Sequence, residues 1–284
     1  SRKVITGLLR ERLGFKGAVT TDCMQMKAIS NGIGTGRGAV EAIKAGVDLI
    51  MVSHSVQPQR EALEEIMTAV LNGELDESIL DEALDRVTQL KTKITGFEQL
   101  SLSSSEVPAS VGSPKHKKLA EDTFRKGVTI VSNDGILPLT KEKKVLLVYP
   151  ENTSTMVVED KRYSTMTLSE SLMNIQPDAD VIIVGNNPDE GEIAEVSRKS
   201  ADYDAVIAVT LSAGKGSPQI MMIEAIRRRN DNVVVIAVRS PYDLAWMPDI
   251  RAYICTYEFT TPALDMAIKA IYGIEQVTGS LPVT

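Results

Sequence analysis

The chain has 284 residues, a net charge of −7 and 43% hydrophobic residues, which suits about two globular domains. The acidic balance argues against a nucleic-acid partner, which needs clustered excess Lys and Arg. No run approaches the ~18 apolar residues of a membrane-spanning helix. Cys23 and Cys255 lie far apart and in no Cys-x-x-Cys pattern, so no zinc or redox centre is readable. One Trp and 4% aromatics leave little material for a sugar-stacking platform.

The first element is an amphipathic helix over residues 1–12, with Val4, Ile5, Leu8 and Leu9 at helical spacing. Gly14 ends it. Residues 17–21, Gly-Ala-Val-Thr-Thr, read as a buried strand that ends at Asp22, and a Met-rich turn follows. Residues 30–38 read as a glycine-rich loop before a helix over 39–45. Gly34-x-Gly36-x-Gly38 fits neither a P-loop nor the dinucleotide fingerprint. A strand over 47–52 and helices over 58–72 and 76–95 complete this part, with Asp76 as an N-cap.

Residues 97–113 carry Ser101, Ser103, Ser104, Ser105, Pro108 and Gly112, with few large apolar groups. That is linker composition. From Pro114 a second domain runs to the end. A helix over 115–126 leads into strands over 128–132, 145–149, 181–185, 205–210, 233–238 and 252–257. Helices near 168–175, 190–200, 217–229 and 262–272 separate the later strands. Short apolar strands alternating with helices predict a mostly parallel sheet covered on both faces. Asp189, Glu190 and Glu192 read as the acidic start of a helix, and Arg227-Arg228-Arg229 as the basic end of one. Ser212–Ser217 has the look of a phosphate-cradling turn but lacks the rest of a P-loop.

Three segments carry a family resemblance. Leu13–Ile29 contains Gly17-Ala18-Val19-Thr20-Thr21-Asp22 and resembles the nucleophile segment, Gly-x-x-x-[Ser/Thr]-Asp, of glycoside hydrolase family 3. The likeness is to its bacterial β-N-acetylglucosaminidases in particular. Ala45-Gly46-Val47-Asp48-Leu49-Ile50-Met51 resembles the family's last barrel strand. Gly279-Ser280-Leu281-Pro282-Val283 resembles its C-terminal Gly-x-Leu-Pro-Val.

The resemblance implies an α/β chain made of the C-terminal fragment of a (β/α)8 barrel, residues 1–96, and an α/β sandwich domain, residues 114–284. It implies a retaining exo-β-N-acetylglucosaminidase with Asp22 as nucleophile, and no organic cofactor or metal. Without the resemblance, an Asp after a strand is commonly a helix N-cap or an Asx turn. His54, after the second strand, and Met24, in the turn after Asp22, are candidate substrate contacts. The other reading of His54 is that it caps the loop that follows. Cys23 reads as a buried thiol, and His116, the other histidine, as a solvated surface residue.

In the family's β-N-acetylglucosaminidases the acid/base resembles an Asp-His dyad carried after an upstream Lys-His-Phe-Pro-Gly-His-Gly segment, and this chain contains no such segment. The partners implied are an amino sugar or muropeptide and the missing N-terminal barrel portion, whether removed by truncation or proteolysis or carried on another chain. Inside the family, β-glucosidases and β-xylosidases are the nearest alternatives. Outside it, the alternative is an accessory module with no activity of its own. The compartment of the protein is not legible.

Overall fold

The computed structural model describes residues 1–95, 108–151 and 167–283. The chain divides into two units, Ser1–Glu106 and Val107–Thr284. The linker expected over 97–113 falls mostly outside the described residues; residues 108–113 form a turn that enters the first helix of the second unit.

In the first unit, Lys3–Arg12 is helical but wound as a π-helix, closed by Leu13 N–H donating to Leu8 O at 2.9 Å. None of its residues is buried, and Val4 and Leu8 are exposed. It is fixed instead by polar side chains. Thr6 Oγ1 donates to Ala45 O at 2.9 Å, and Arg10 Nη2 donates to Gly46 O at 3.0 Å. Gly46 has φ +98°, and a Cβ there would lie 2.7 Å from Thr6 Oγ1. Both the backbone angle and the close approach require glycine.

Strand β1 (Thr20–Cys23) pairs in parallel with β2 (Leu49–Met51). β1 starts three residues later than the sequence suggests. The cause is Asp48, whose Oδ2 accepts Val19 N–H at 2.7 Å. Val19 O accepts the amides of Asp48 and Leu49 at 2.9 and 3.1 Å. A side chain thus stands where a ladder bond would be. Among the described residues four α-helices accompany the pair: α1 (Lys27–Ser30), α2 (Thr35–Lys44), α3 (Val56–Leu71) and α4 (Glu77–Thr95). Asp76 Oδ1 accepts Ser78 N–H at 2.9 Å in front of α4.

The glycine-rich loop expected over 30–38 is a correction, because Gly36 and Gly38 lie inside α2. They serve close packing. A Cβ at Gly36 would meet Glu61 O of α3 at 3.1 Å, and one at Gly38 would meet Ile29 Cγ2 at 2.6 Å. Gly34, with φ +85°, turns the chain into the helix. Val40, Ile43, Ala69 and Leu75 form a small core, with Ile50, Ile66, Val70, Ile79 and Leu80 packed against it.

The second unit begins with α5 (Pro114–Gly127), capped by Ser113, whose side chain accepts His116 N–H. Next come β3 (Thr129–Asn133), β4 (Val145–Pro150), α6 (Leu168–Met173), β5 (Asp180–Val184), α7 (Glu190–Ser200), β6 (Ala205–Thr210), α8 (Pro218–Arg227) and β7 (Val233–Ala237). A 3₁₀ turn (Pro241–Trp246), β8 (Ala252–Cys255) and α9 (Thr261–Ile271) complete it. The six strands lie in the order β3-β8-β7-β6-β4-β5. Every pairing is parallel except that of β3 with β8. This is the mostly parallel sheet expected from the strand–helix alternation.

The strand period of two sorts the side chains into two cores. Leu147, Ile207, Ile236 and Ile254 face Leu264, Ile268 and Ile271 of α9. Leu146, Val206, Val235 and Tyr253 face Ile220, Ile223 and Ile226 of α8. The acidic turn before α7 is a capping box, with Asp189 and Glu192 each accepting the other's amide. In the basic end of α8, Arg227 Nη2 donates to Asp249 O at 3.1 Å. Gly279 of the C-terminal motif bonds Val128 O at 3.2 Å. A Cβ there would lie 2.4 Å from three atoms of residues 127–129, so only glycine fits where the C-terminal segment crosses the α5–β3 junction.

Candidate active site

β1 and β2 run in parallel, so the segments that leave their C-terminal ends lie side by side. Cys23 is level with Met51, and Met24 N–H donates to Met51 O at 2.8 Å. Asp22 is the last residue but one of β1, and its side chain is exposed. Its Oδ1 accepts the amide of Cys23 at 2.6 Å. Asp22 does not cap the following helix, which starts at Lys27 with Met26 in the cap position. The ordinary helix-cap role of a post-strand Asp is therefore not the one this residue fills.

His54 lies on the loop after β2, at the same end of the pair, and is exposed. The two segments are cross-tied there. Gln25 Oε1 accepts the amides of His54 at 2.7 Å and Ser55 at 3.3 Å. Thr21 Oγ1 accepts Met51 N–H at 3.0 Å; within the second segment, Gln59 Nε2 donates to Val52 O at 2.8 Å. The site thus holds an exposed carboxylate and an exposed imidazole on two adjoining, mutually bonded segments. Asp22 offers a nucleophile or proton acceptor, and the adjoining segment carries a group that can donate or accept hydrogen bonds.

Met24 is in a different place. It is 7% exposed, and a Cβ on Gly38 would come within 3.0 Å of its Cε. It fills the space under α2 and supports the turn from beneath. Cys23 is half-buried, where the sequence suggests a buried thiol. Burial pushes its thiol up, but interactions with the Gln25 and Ser53 backbone and the Ser53 hydroxyl outweigh this and hold it below the usual value. His116 is exposed, as expected.

Sequence reasoning missed Asp48. Its side chain is 1% exposed and lies 2.5 Å from Arg10 Nη2 and 2.9 Å from Arg86 Nη1. A buried carboxylate needs partners of this kind. The signal was there, since one acid stands in the apolar run Val47–Met51. Its partners, 38 residues away on either side, could be named only from the fold. Asp48 thereby ties the N-terminal helix, the start of β1 and α4 to the base of the strand pair, at the end away from Asp22. Among the described residues no cluster of His, Cys, Asp and Glu is arranged to hold a metal ion, and no helix is long and apolar enough to cross a membrane.

Comparison with known proteins adds an independent line. The family described as "Glycosyl hydrolase family 3 N terminal domain" matches residues 1–90. Beta-hexosaminidase A of Pseudoalteromonas piscicida is 25% identical over 320 residues, covering 100% of this chain and 52% of that protein. The beta-N-acetylglucosaminidase/beta-glucosidase of Cellulomonas fimi is 22% identical over 298 residues, with the same coverage. The solved structure of a glycoside hydrolase family 3 beta-N-acetylglucosaminidase from Paenibacillus sp. str. FPU-7 superposes with a TM-score of 0.82 at 32% identity. That match covers 100% of this chain and 54% of the solved one. The chain thus spans about half the length of these relatives.

Proposed function

The chain belongs to glycoside hydrolase family 3, and from that premise we propose that it carries the nucleophile of a retaining exo-β-N-acetylglucosaminidase. The substrates we assign are peptidoglycan-derived or related amino sugars. The observation that carries the reading is Asp22, an exposed carboxylate at the C-terminal end of a parallel strand, where barrel enzymes place their catalytic groups. In this reading Asp22 attacks the anomeric carbon and forms a covalent glycosyl-enzyme as the bond to the leaving oxygen breaks. A second group protonates that oxygen and later takes a proton from the attacking water. We place the second group upstream, in the barrel portion that the longer relatives have and this chain does not include. His54 lines the sugar pocket, and Met24 packs beneath it.

The test is Asp22→Ala in the full-length protein. Turnover of a β-N-acetylglucosaminide falls by several orders of magnitude, because the covalent route is gone. A mechanism-based fluorosugar labels Asp22 in the parent enzyme; a label on another carboxylate would overturn the assignment. The isolated 284-residue chain is expected to be inactive and to act as a non-catalytic module. Hydrolysis by rigorously pure chain would give His54 or another residue the acid/base role. The name of the Cellulomonas fimi relative carries two activities, so a β-glucoside belongs beside the β-N-acetylglucosaminide in the assay.

A further inference from the structure

We propose that Gln25 is a positioning residue for this reaction: its side-chain oxygen fixes the loop after β2, and His54 with it, at the Asp22 end of the strand pair. The inference rests on the assignment of Asp22 as nucleophile. The last backbone bond between the two segments is Met24 N–H to Met51 O. Beyond it, side chains take over. Gln25 Oε1 accepts two successive amides, His54 N–H at 2.7 Å and Ser55 N–H at 3.3 Å. One oxygen gripping two neighbouring amides fixes the orientation of the peptide between them. Ser55 stands at the cap of α3 without a side-chain capping bond, so Gln25, from the other segment, holds the entry to that helix. The turn that carries Gln25 is itself supported from below by Met24.

The tie suits precision rather than stability. His54 and Ser55 are exposed, so water can satisfy their amides when the glutamine is removed. What is lost is the fixed distance between the Asp22 segment and the loop. Misplacement by about an ångström costs up to two orders of magnitude in rate.

The test compares Gln25→Met, which keeps the length and removes the acceptor, with Gln25→Glu, which keeps an oxygen acceptor. Both are made in the full-length protein. Turnover is read per active site, counted by the fluorosugar, so that lost folded protein does not enter. Gln25→Met is expected to lower kcat about ten- to a hundredfold, with a smaller change in KM and an unchanged melting temperature. Gln25→Glu is expected to restore kcat to within about threefold of the parent, as an equivalent acceptor should. Asp22→Ala is measured alongside. If Asp22→Ala retains turnover, the nucleophile assignment fails and the role of Gln25 falls with it. If Asp22→Ala is inactive while Gln25→Met keeps the parent kcat, the positioning role alone is overturned. A loss in Gln25→Met that Gln25→Glu does not restore, or that tracks a lowered melting temperature, overturns it equally.

Discussion

β7 and β2 are both short, apolar and parallel, yet they end in opposite surroundings. Every residue of β7, Val233–Ala237, is buried. β2, Leu49–Met51, alternates exposed, half-buried and exposed. The difference lies in the neighbours. β7 sits between β6 and β8, with α8 on one face and α9 on the other. Among the described residues β2 has one strand beside it and a small helical core below. A strand's burial therefore belongs to the layers around it, and a two-stranded sheet is marginal in water. In this chain the unit with the candidate chemistry is the thinly packed one.

Hydrogen exchange on the 284-residue chain tests that contrast most directly. Amides of β4, β6, β7 and β8 are expected to exchange near the limit set by global unfolding of the second unit. Those of β1 and β2 should exchange on the order of a thousandfold faster, through local opening. Equal protection in the two strand sets would break the comparison, and it would mean that something covers the β1–β2 pair in solution.

Truncating one side chain in each unit gives a smaller effect with the same logic. Ile207 is fully buried in β6, and Ile207→Ala is expected to cost about 2–5 kcal/mol in urea unfolding. Leu63 on α3 is 63% exposed, and Leu63→Ala should stay within about 0.5 kcal/mol in the isolated chain. If Leu63→Ala proves as costly as Ile207→Ala, the apolar stripe of Leu63, Met67 and Leu71 is already covered in this chain.

How far the sequence could be read follows the same divide. In the second unit, β6 and α7 fall on the residues expected for them, because apolar runs of strand length between capped helices leave one solution. The antiparallel pairing of β3 with β8 was not legible, since strand direction in a sheet depends on the path of the chain. In the first unit, the shift of β1 to Thr20–Cys23 follows from Asp48, whose bond to Val19 joins residues 29 apart. The start of α2 at Thr35 was hidden because Gly36 and Gly38 read as loop formers, while their reason is helix packing. Asp22 could be singled out by its strand-end position and the family resemblance. Gln25 could not, because its partners are backbone amides whose position depends on the register of two strands.

The smallest effect expected concerns the ion pairs that help hold the first unit together. Glu74, in the turn after α3, pairs with Arg37 and with Lys44 at 2.8 Å, both on α2. Hydrogen bonds from Arg37 and then Lys44 lower its pKa from the ordinary 4.5 to about 2. A carboxyl whose folded-state pKa is depressed favours the folded state above its unfolded value. That contribution is complete above about pH 4.5 and fades as pH falls through about 2. The group is exposed, so solvent and salt screen the pairs and the gain in stability is slight. The measurable quantity is the titration itself. In an NMR titration of the side-chain carboxyl, Glu74 should have its midpoint well below that of an ordinary glutamate. About 1 M salt, where screening acts over ~3 Å, should move the midpoint up, and Arg37→Met should move it further. An ordinary midpoint in the parent chain would remove these pairs from the account and leave the small apolar core and the Asp48 bridges to hold α2 in place.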